Sequence, residues 1–301
     1  FRLAIDPGRI VVTAGASAAL QLITLALVDA GDEVLLPDPS YPCNRHFVAA
    51  ALGRPVLLPS TAEQRFQLDA AAVEAAWGAR TRGVLLASPS NPTGTSIERG
   101  QMRLIVEAVR ARGGFTLVDE IYLGLSYDEA FGHSALEHGD DVIAINSFSK
   151  YFGMTGWRLG WLVLPPALVP SVEKLAQNLY ICASSLSQAA ALACFEPESL
   201  AEYERRRAAF RARRDFVVPA LEQLGLRVPV FPDGAFYAYA DTSAHAASSW
   251  DLCFDLMRRA QVALTPGRDF GPYAGERFLR LSFASAMPQL EEAVQRLRVA
   301  L

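Results

Sequence analysis

The stretch that decides the fold is "DVIAINSFSKYFGMTGWRLGWLVL", residues 141–164. A continuous apolar run, "DVIAIN" at 141–146, stops at a polar segment carrying Ser147, Ser149 and Lys150, and a second run, "GWLVL" at 160–164, follows. Runs of this length without alternation are expected of strands covered on both faces. Lys150 and Lys174 are the only lysines among 28 lysine and arginine residues. Arginine serves for charge and hydrogen bonding elsewhere in the chain. A lysine kept at a strand end therefore asks for an amine that can lose its proton.

Working outward, five further runs of the same kind precede this stretch: "IVVT" (10–13), "EVLLP" (33–37), "PVLLP" (55–59), "GVLLAS" (83–88) and "FTLVD" (115–119). Helix-length amphipathic segments such as "SIERGQMRLIVEAVRARG" lie between most of them. Strand–helix alternation at this spacing reads as an α/β wound domain with a mostly parallel sheet of seven strands. After about residue 166 the pattern changes. Residues 198–224 read as one long helix, with Pro219 expected to kink or interrupt it. "RVPVF", "GAFYAYAD", "VALTP" and "FLRLSF", with two helices, complete an α+β pattern. The expected division is a large domain over 1–197 and a small C-terminal domain over 198–301.

Composition narrows the function. Of 301 residues, 51% are hydrophobic and 20% charged, which suits a globular chain with a sizeable core. A net charge of −4 argues against nucleic acid and anionic membrane as partners. The longest apolar stretches fall short of a membrane span, and "FRLAIDPGRI" has no secretory pattern. The four cysteines (Cys43, Cys182, Cys194, Cys253) show no paired spacing, so neither a metal site nor a disulfide framework is expected, and a reducing cytoplasm is. The cationic run "RRRAAFRARR" is interleaved with Glu202, Glu204 and Asp215, as on a solvated or interdomain helix.

Ligands of open α/β sheets bind outside the carboxyl ends of the strands. Three such ends carry reactive side chains: Asn91 in the turn "PSNPTG", Asp119 with Tyr122 three residues on, and Lys150 behind Ser147 and Ser149. A neutral lysine amine attacks aldehydes, and a lysine paired with a carboxylate is what pyridoxal phosphate requires: imine on one side, pyridine nitrogen on the other. Ser147, Ser149, Arg158 and the backbone N–H groups of "TAGASAAL" are the candidate phosphate donors.

With "DEIY", "SFSKYFGMTGWRLGW", "GAFYAY" and "RLSFA" following in order, the whole chain resembles the class I/II aminotransferases of the fold-type I pyridoxal-phosphate enzymes. The resemblance implies that Lys150 is the Schiff-base lysine and general base, and Asp119 the partner of the pyridinium nitrogen. It implies that Asn91 and Tyr122 reach the ring's 3′-oxygen, that Tyr41 stacks on the ring, and that Ala16, Ser17, Ser147, Ser149 and Arg158 hold the phosphate. Arg280 is implied to grip the substrate α-carboxylate, with Asn91 beside it. The activity implied is ping-pong transfer of an amino group between an L-amino acid and a 2-oxo acid, by a homodimer with active sites at its interface.

Members of that family carry an N-terminal segment that has no counterpart here, and Ser17 stands where relatives often have Lys or Gln, which disfavours a dicarboxylate specialist. Two other readings compete with transamination. A C–S β-lyase would use the same groups around the cofactor. A ligand-sensing domain would resemble the enzyme without turning over, but the chain shows no helix-turn-helix pattern and retains the lysine and carboxylate.

Overall fold

The computed structural model describes residues 3–301. The chain opens with β1 (Ile10–Thr13), α1 (Ala16–Leu27), β2 (Glu33–Asp38), α2 (Pro42–Ala50) and β3 (Arg54–Pro59). It continues through α3 (Ala70–Ala76), β4 (Thr81–Ala87), α4 (Arg99–Arg110), β5 (Phe115–Asp119), β6 (Ile143–Ser147) and β7 (Gly160–Val163). Helices α5 (Val169–Leu179), α6 (Ser185–Leu192) and the long α7 (Pro197–Gln223) come next. The last elements are β8 (Tyr237–Asp241), α8 (Ser249–Arg259), β9 (Thr265–Pro266), β10 (Phe278–Ser282) and α9 (Met287–Ala300).

The seven expected strands form one sheet in the order β1-β7-β6-β5-β4-β2-β3. All neighbours are parallel except β7, which runs against both β1 and β6. Side chains alternate between the two faces, as the strand repeat of two requires. Leu85, Leu117 and Ile145 pack with Leu20, Ile23 and Val172 on one side. Val84, Leu86 and Val118 pack with Met102, Ile105 and Val109 on the other. Both faces of the central strands are thus covered, which is why their sequences read as unbroken apolar runs. The edge strand β1 departs from that expectation: its burial alternates, and Ile10 and Val12 are exposed.

A smaller antiparallel sheet, β8-β10-β9, packs its own core against the end of α7, α8 and α9. Two expectations are corrected here. "RVPVF" is not a strand, since only Arg227 bridges to Asp241 and Pro229 and Pro232 remove ladder donors. Pro219 does not interrupt α7. It sits on the exposed face, so the Asp215 carbonyl it frees can be hydrated, while Val217, Val218 and Leu221 keep the helix docked. Among the described residues no helix is long and apolar enough to cross a membrane.

Candidate active site

Because β7 is antiparallel, the C-termini of β1 and β6 and the N-terminus of β7 meet at one edge of the sheet. Gly160 faces Thr13 on one side and Ser147 on the other. A Cβ on Gly160 would lie 2.8 Å from the Asn146 carbonyl oxygen and 3.0 Å from the Ala16 nitrogen. Only glycine lets α1 begin this close to β6. Helix α1 starts after Gly15, at φ 90°, with no side chain capping its first N–H groups. The Arg158 guanidinium crosses directly over Gly15, where a Cβ would come within 2.7 Å of Nη2. Arg158 itself adopts the left-handed conformation (φ 52°, ψ 59°), and its Nη1 donates to the Thr155 carbonyl at 2.9 Å. An uncapped helix start beneath a guanidinium offers donors and positive charge suited to an anion.

Two serines differ in their commitments. Ser147 Oγ accepts the Ser149 N–H at 3.0 Å and donates to the Leu159 carbonyl at 3.3 Å, pinning the turn. Ser149 Oγ has no hydrogen bond among the described residues. Its carbonyl accepts from Thr155 Oγ1 at 2.6 Å, which fixes the backbone next to Lys150.

Lys150 projects into a cavity of about 350 Å³ that also receives Asp119, Asn91, Tyr122, Tyr41 and Arg280. Ala16, Ser17, Ser147, Ser149 and Arg158 line its other end. All eleven residues singled out from the sequence therefore share one enclosure. Burial lowers the Lys150 ammonium from its ordinary value, with Arg158 and Arg280 adding repulsion and Asp119 opposing. Asp119 is pushed up to about 6 by burial, held back by the Ile121 N–H and by Lys150. Its Oδ1 accepts that N–H at 3.1 Å. A carboxylate so buried gains most from a cation placed against it.

The small sheet contributes the other wall. Arg280 Nη1 donates to Asn91 Oδ1 at 2.7 Å and Nη2 to Thr265 Oγ1 at 3.2 Å. Its Nε is buried without a partner, and the guanidinium stacks 4.4 Å from the Tyr237 ring centroid. The Tyr237 hydroxyl lies 2.8 Å from that of Tyr122, whose own ionisation burial drives well above the usual phenol range. Tyr237 and Thr155 line the cavity and were not singled out from the sequence. The quoted segment "GAFYAYAD" held the first of them, but nothing in its spacing distinguishes Tyr237 from Tyr239.

A strand-end lysine, a buried carboxylate, an uncapped helix start under a guanidinium and a second arginine thus share one cavity, a set that a transaminase and a C–S β-lyase would both use. The chain belongs to the family described as aminotransferase class I and II, which it matches over residues 1–297. It is 38% identical over 296 residues to the valine–pyruvate aminotransferase of Mycobacterium tuberculosis, covering 98% of this chain and 76% of that protein. It is 34% identical over 297 residues to the arginine–pyruvate transaminase AruH of Pseudomonas aeruginosa, covering 98% and 75%. Among solved structures, an aminotransferase from Mycobacterium tuberculosis superposes with a TM-score of 0.95 at 38% identity, covering 99% of this chain and 77% of that one. The protein is an enzyme of the aminotransferase class.

Proposed function

We propose that the enzyme uses pyridoxal phosphate to move an amino group between an L-amino acid and a 2-oxo acid in a ping-pong cycle. The observation that carries this reading is the shared enclosure of Lys150 and Asp119, a burial-weakened ammonium and a carboxylate that needs a cation. The donor set fits the cofactor. The uncapped start of α1, Arg158 and the free Ser149 hydroxyl suit its phosphate, and Asp119 suits a protonated ring nitrogen. Tyr41 is available to stack, and Asn91 and Tyr122 to bond the 3′-oxygen. Bound there, the cofactor supplies an aldehyde and an electron sink.

The chain's own residues do the rest. Lys150, once its amine has lost its proton, would take the proton from the substrate Cα and hand it to the carbon that carried the cofactor's aldehyde. Asp119 keeps the ring-nitrogen proton in place. Arg280 holds the α-carboxylate through two N–H groups, which orients the Cα bond toward Lys150. Tyr237 braces both Tyr122 and Arg280 from the small sheet. In this reading residues 1–197 form the cofactor-binding domain and 198–301 the small domain.

The test is a panel of amino donors supplied with 2-oxoglutarate. Glutamate formed in step with the donor's oxo acid supports transamination. Pyruvate, ammonia and thiol from a cysteine-type donor, without glutamate, would replace it with β-elimination. Binding of an amino acid without repeated turnover would make the site a sensor.

A further inference from the structure

Outside this cavity, in the segment between β5 and β6, two histidines and a glutamate converge. His133 Nδ1 lies 3.7 Å, and His138 Nε2 3.4 Å, from the same oxygen, Oε1 of Glu137. All three donor atoms fall within 4.8 Å of one another. His133 is 4% exposed, and its other nitrogen, Nε2, sits 3.0 Å from the Ile97 carbonyl. A carbonyl only accepts, so Nε2 carries the ring hydrogen and Nδ1 of the neutral imidazole presents a bare lone pair. That lone pair faces a carboxylate oxygen, which is also only an acceptor. Neither His133 Nδ1 nor His138 Nε2 has a hydrogen-bond partner among the described residues. Buried polar atoms without partners are rare and costly, and two of them are turned here toward one carboxylate oxygen.

We propose that His133, Glu137 and His138 bind one divalent transition-metal ion of the zinc type. Zinc bonds to imidazole nitrogen and carboxylate oxygen at about 2.0–2.2 Å, and a tetrahedron of such bonds has edges of about 3.3–3.6 Å. The edges from Glu137 Oε1 to the two nitrogens, 3.4 and 3.7 Å, need little closing to reach that figure. The outer contacts that orient ligands are already in place. The Ile97 carbonyl fixes the His133 tautomer, and Arg99 Nη1 holds Glu137 Oε2 at 2.9 Å, leaving Oε1 for the ion. Two imidazoles select zinc, nickel or cobalt over magnesium or calcium, and three protein donors leave one position for water.

The role of the ion is structural. Ser134 Oγ donates to the two carboxylate oxygens of Glu120 at 3.0 and 2.9 Å, and the Ala135 N–H donates at 2.7 Å. Glu120 directly follows Asp119. An ion joining His133 to His138 closes the turn that carries Ser134, and so braces the end of β5 from behind.

Chelator-treated holoenzyme is titrated with Zn²⁺ against a chromophoric competitor, in parallel with His138→Gln and Glu137→Gln. One equivalent per chain is expected for the wild type, unaffected by excess Mg²⁺, with binding at least about tenfold weaker in each variant. Zn²⁺ should raise the wild-type Tm and leave both variants unmoved. Should the variants fail to fold, Co²⁺ added to the wild type gives a second readout, a four-coordinate visible spectrum. Sub-stoichiometric uptake, equal affinity in wild type and variants, or the spectrum of six-coordinate solvated Co²⁺ would each overturn the proposal and leave a buried water in the cluster.

Discussion

Arg280 Nη1 donates to Asn91 Oδ1 across 2.7 Å, joining β10 of the small sheet to the turn that follows β4 of the large one. The bond holds the guanidinium at a fixed angle over Tyr237 before any substrate arrives. Asn91→Ala should raise KM for the amino acid, because Arg280 must then find its own orientation. Arg280→Lys keeps the charge and loses the fork. A charge-assisted hydrogen bond contributes about 1.5–3 kcal/mol, so kcat/KM should fall roughly 10- to 100-fold. Steady-state kinetics with one donor check both, and an unchanged kcat/KM in Arg280→Lys would remove Arg280 from the carboxylate.

Lys150→Arg retains the cation and ends its proton chemistry, since a guanidinium stays protonated. Turnover should drop by at least about a thousandfold, the scale of combined covalent and acid–base contributions. Cofactor retention, followed by absorbance after gel filtration, should fall much less. Activity within tenfold of wild type would take the proton transfer away from Lys150.

The raised Asp119 gives a pH signature in cofactor-free protein. From the ordinary carboxylate range up to about 6, the folded chain keeps a proton that the unfolded chain has lost. Stability contributed by this group therefore falls as pH rises through that window. Asp119→Asn preserves an acceptor for the Ile121 N–H and removes the slope. Above about pH 6 the cofactor-free variant should be the more stable, by up to about 3 kcal/mol, while turnover of the cofactor-loaded variant collapses. Urea unfolding at four pH values between 4 and 7 makes the comparison, and parallel pH profiles would refute it.

Gly160→Ala places a methyl group between the Asn146 carbonyl and the start of α1, at 2.8 and 3.0 Å. The helix start must retreat, and with it the anion cradle. Affinity for inorganic phosphate and for the cofactor should weaken together, about tenfold or more, with little change in Lys150 chemistry once the cofactor is saturating. Equilibrium dialysis of both ligands tests this, and loss of one without the other would separate the cradle from α1.

Much of this was legible in the sequence for identifiable reasons. Central strands such as Thr81–Ala87 are covered twice and so wrote themselves as unbroken apolar runs. Lys150 stood out because nearly every other cation is arginine. Where backbone donors were missing, pattern misled: "RVPVF" has strand composition, but Pro229 within it and Pro232 just after it prevent pairing. Pro219 misled in the opposite direction, because exposure of its helix face was not visible in one dimension. Tyr237 escaped notice since its value comes from reaching Tyr122, 115 residues away. His133 and His138 escaped because attention went to the cysteines, although their separation by four residues lies within a common zinc-ligand spacing.

The reversal of β7 has a consequence for how such a site can change over time. Ser147 and Gly160 face each other as register partners, so residues 148–159 form one closed hairpin loop. Lys150 and Arg158 both ride on it. A single inserted or deleted residue would alter the span between the amine and the guanidinium, and with it the length of molecule that fits between them. That span is set locally by one short loop, whereas the Arg280 end of the cavity is assembled from segments far apart in the chain.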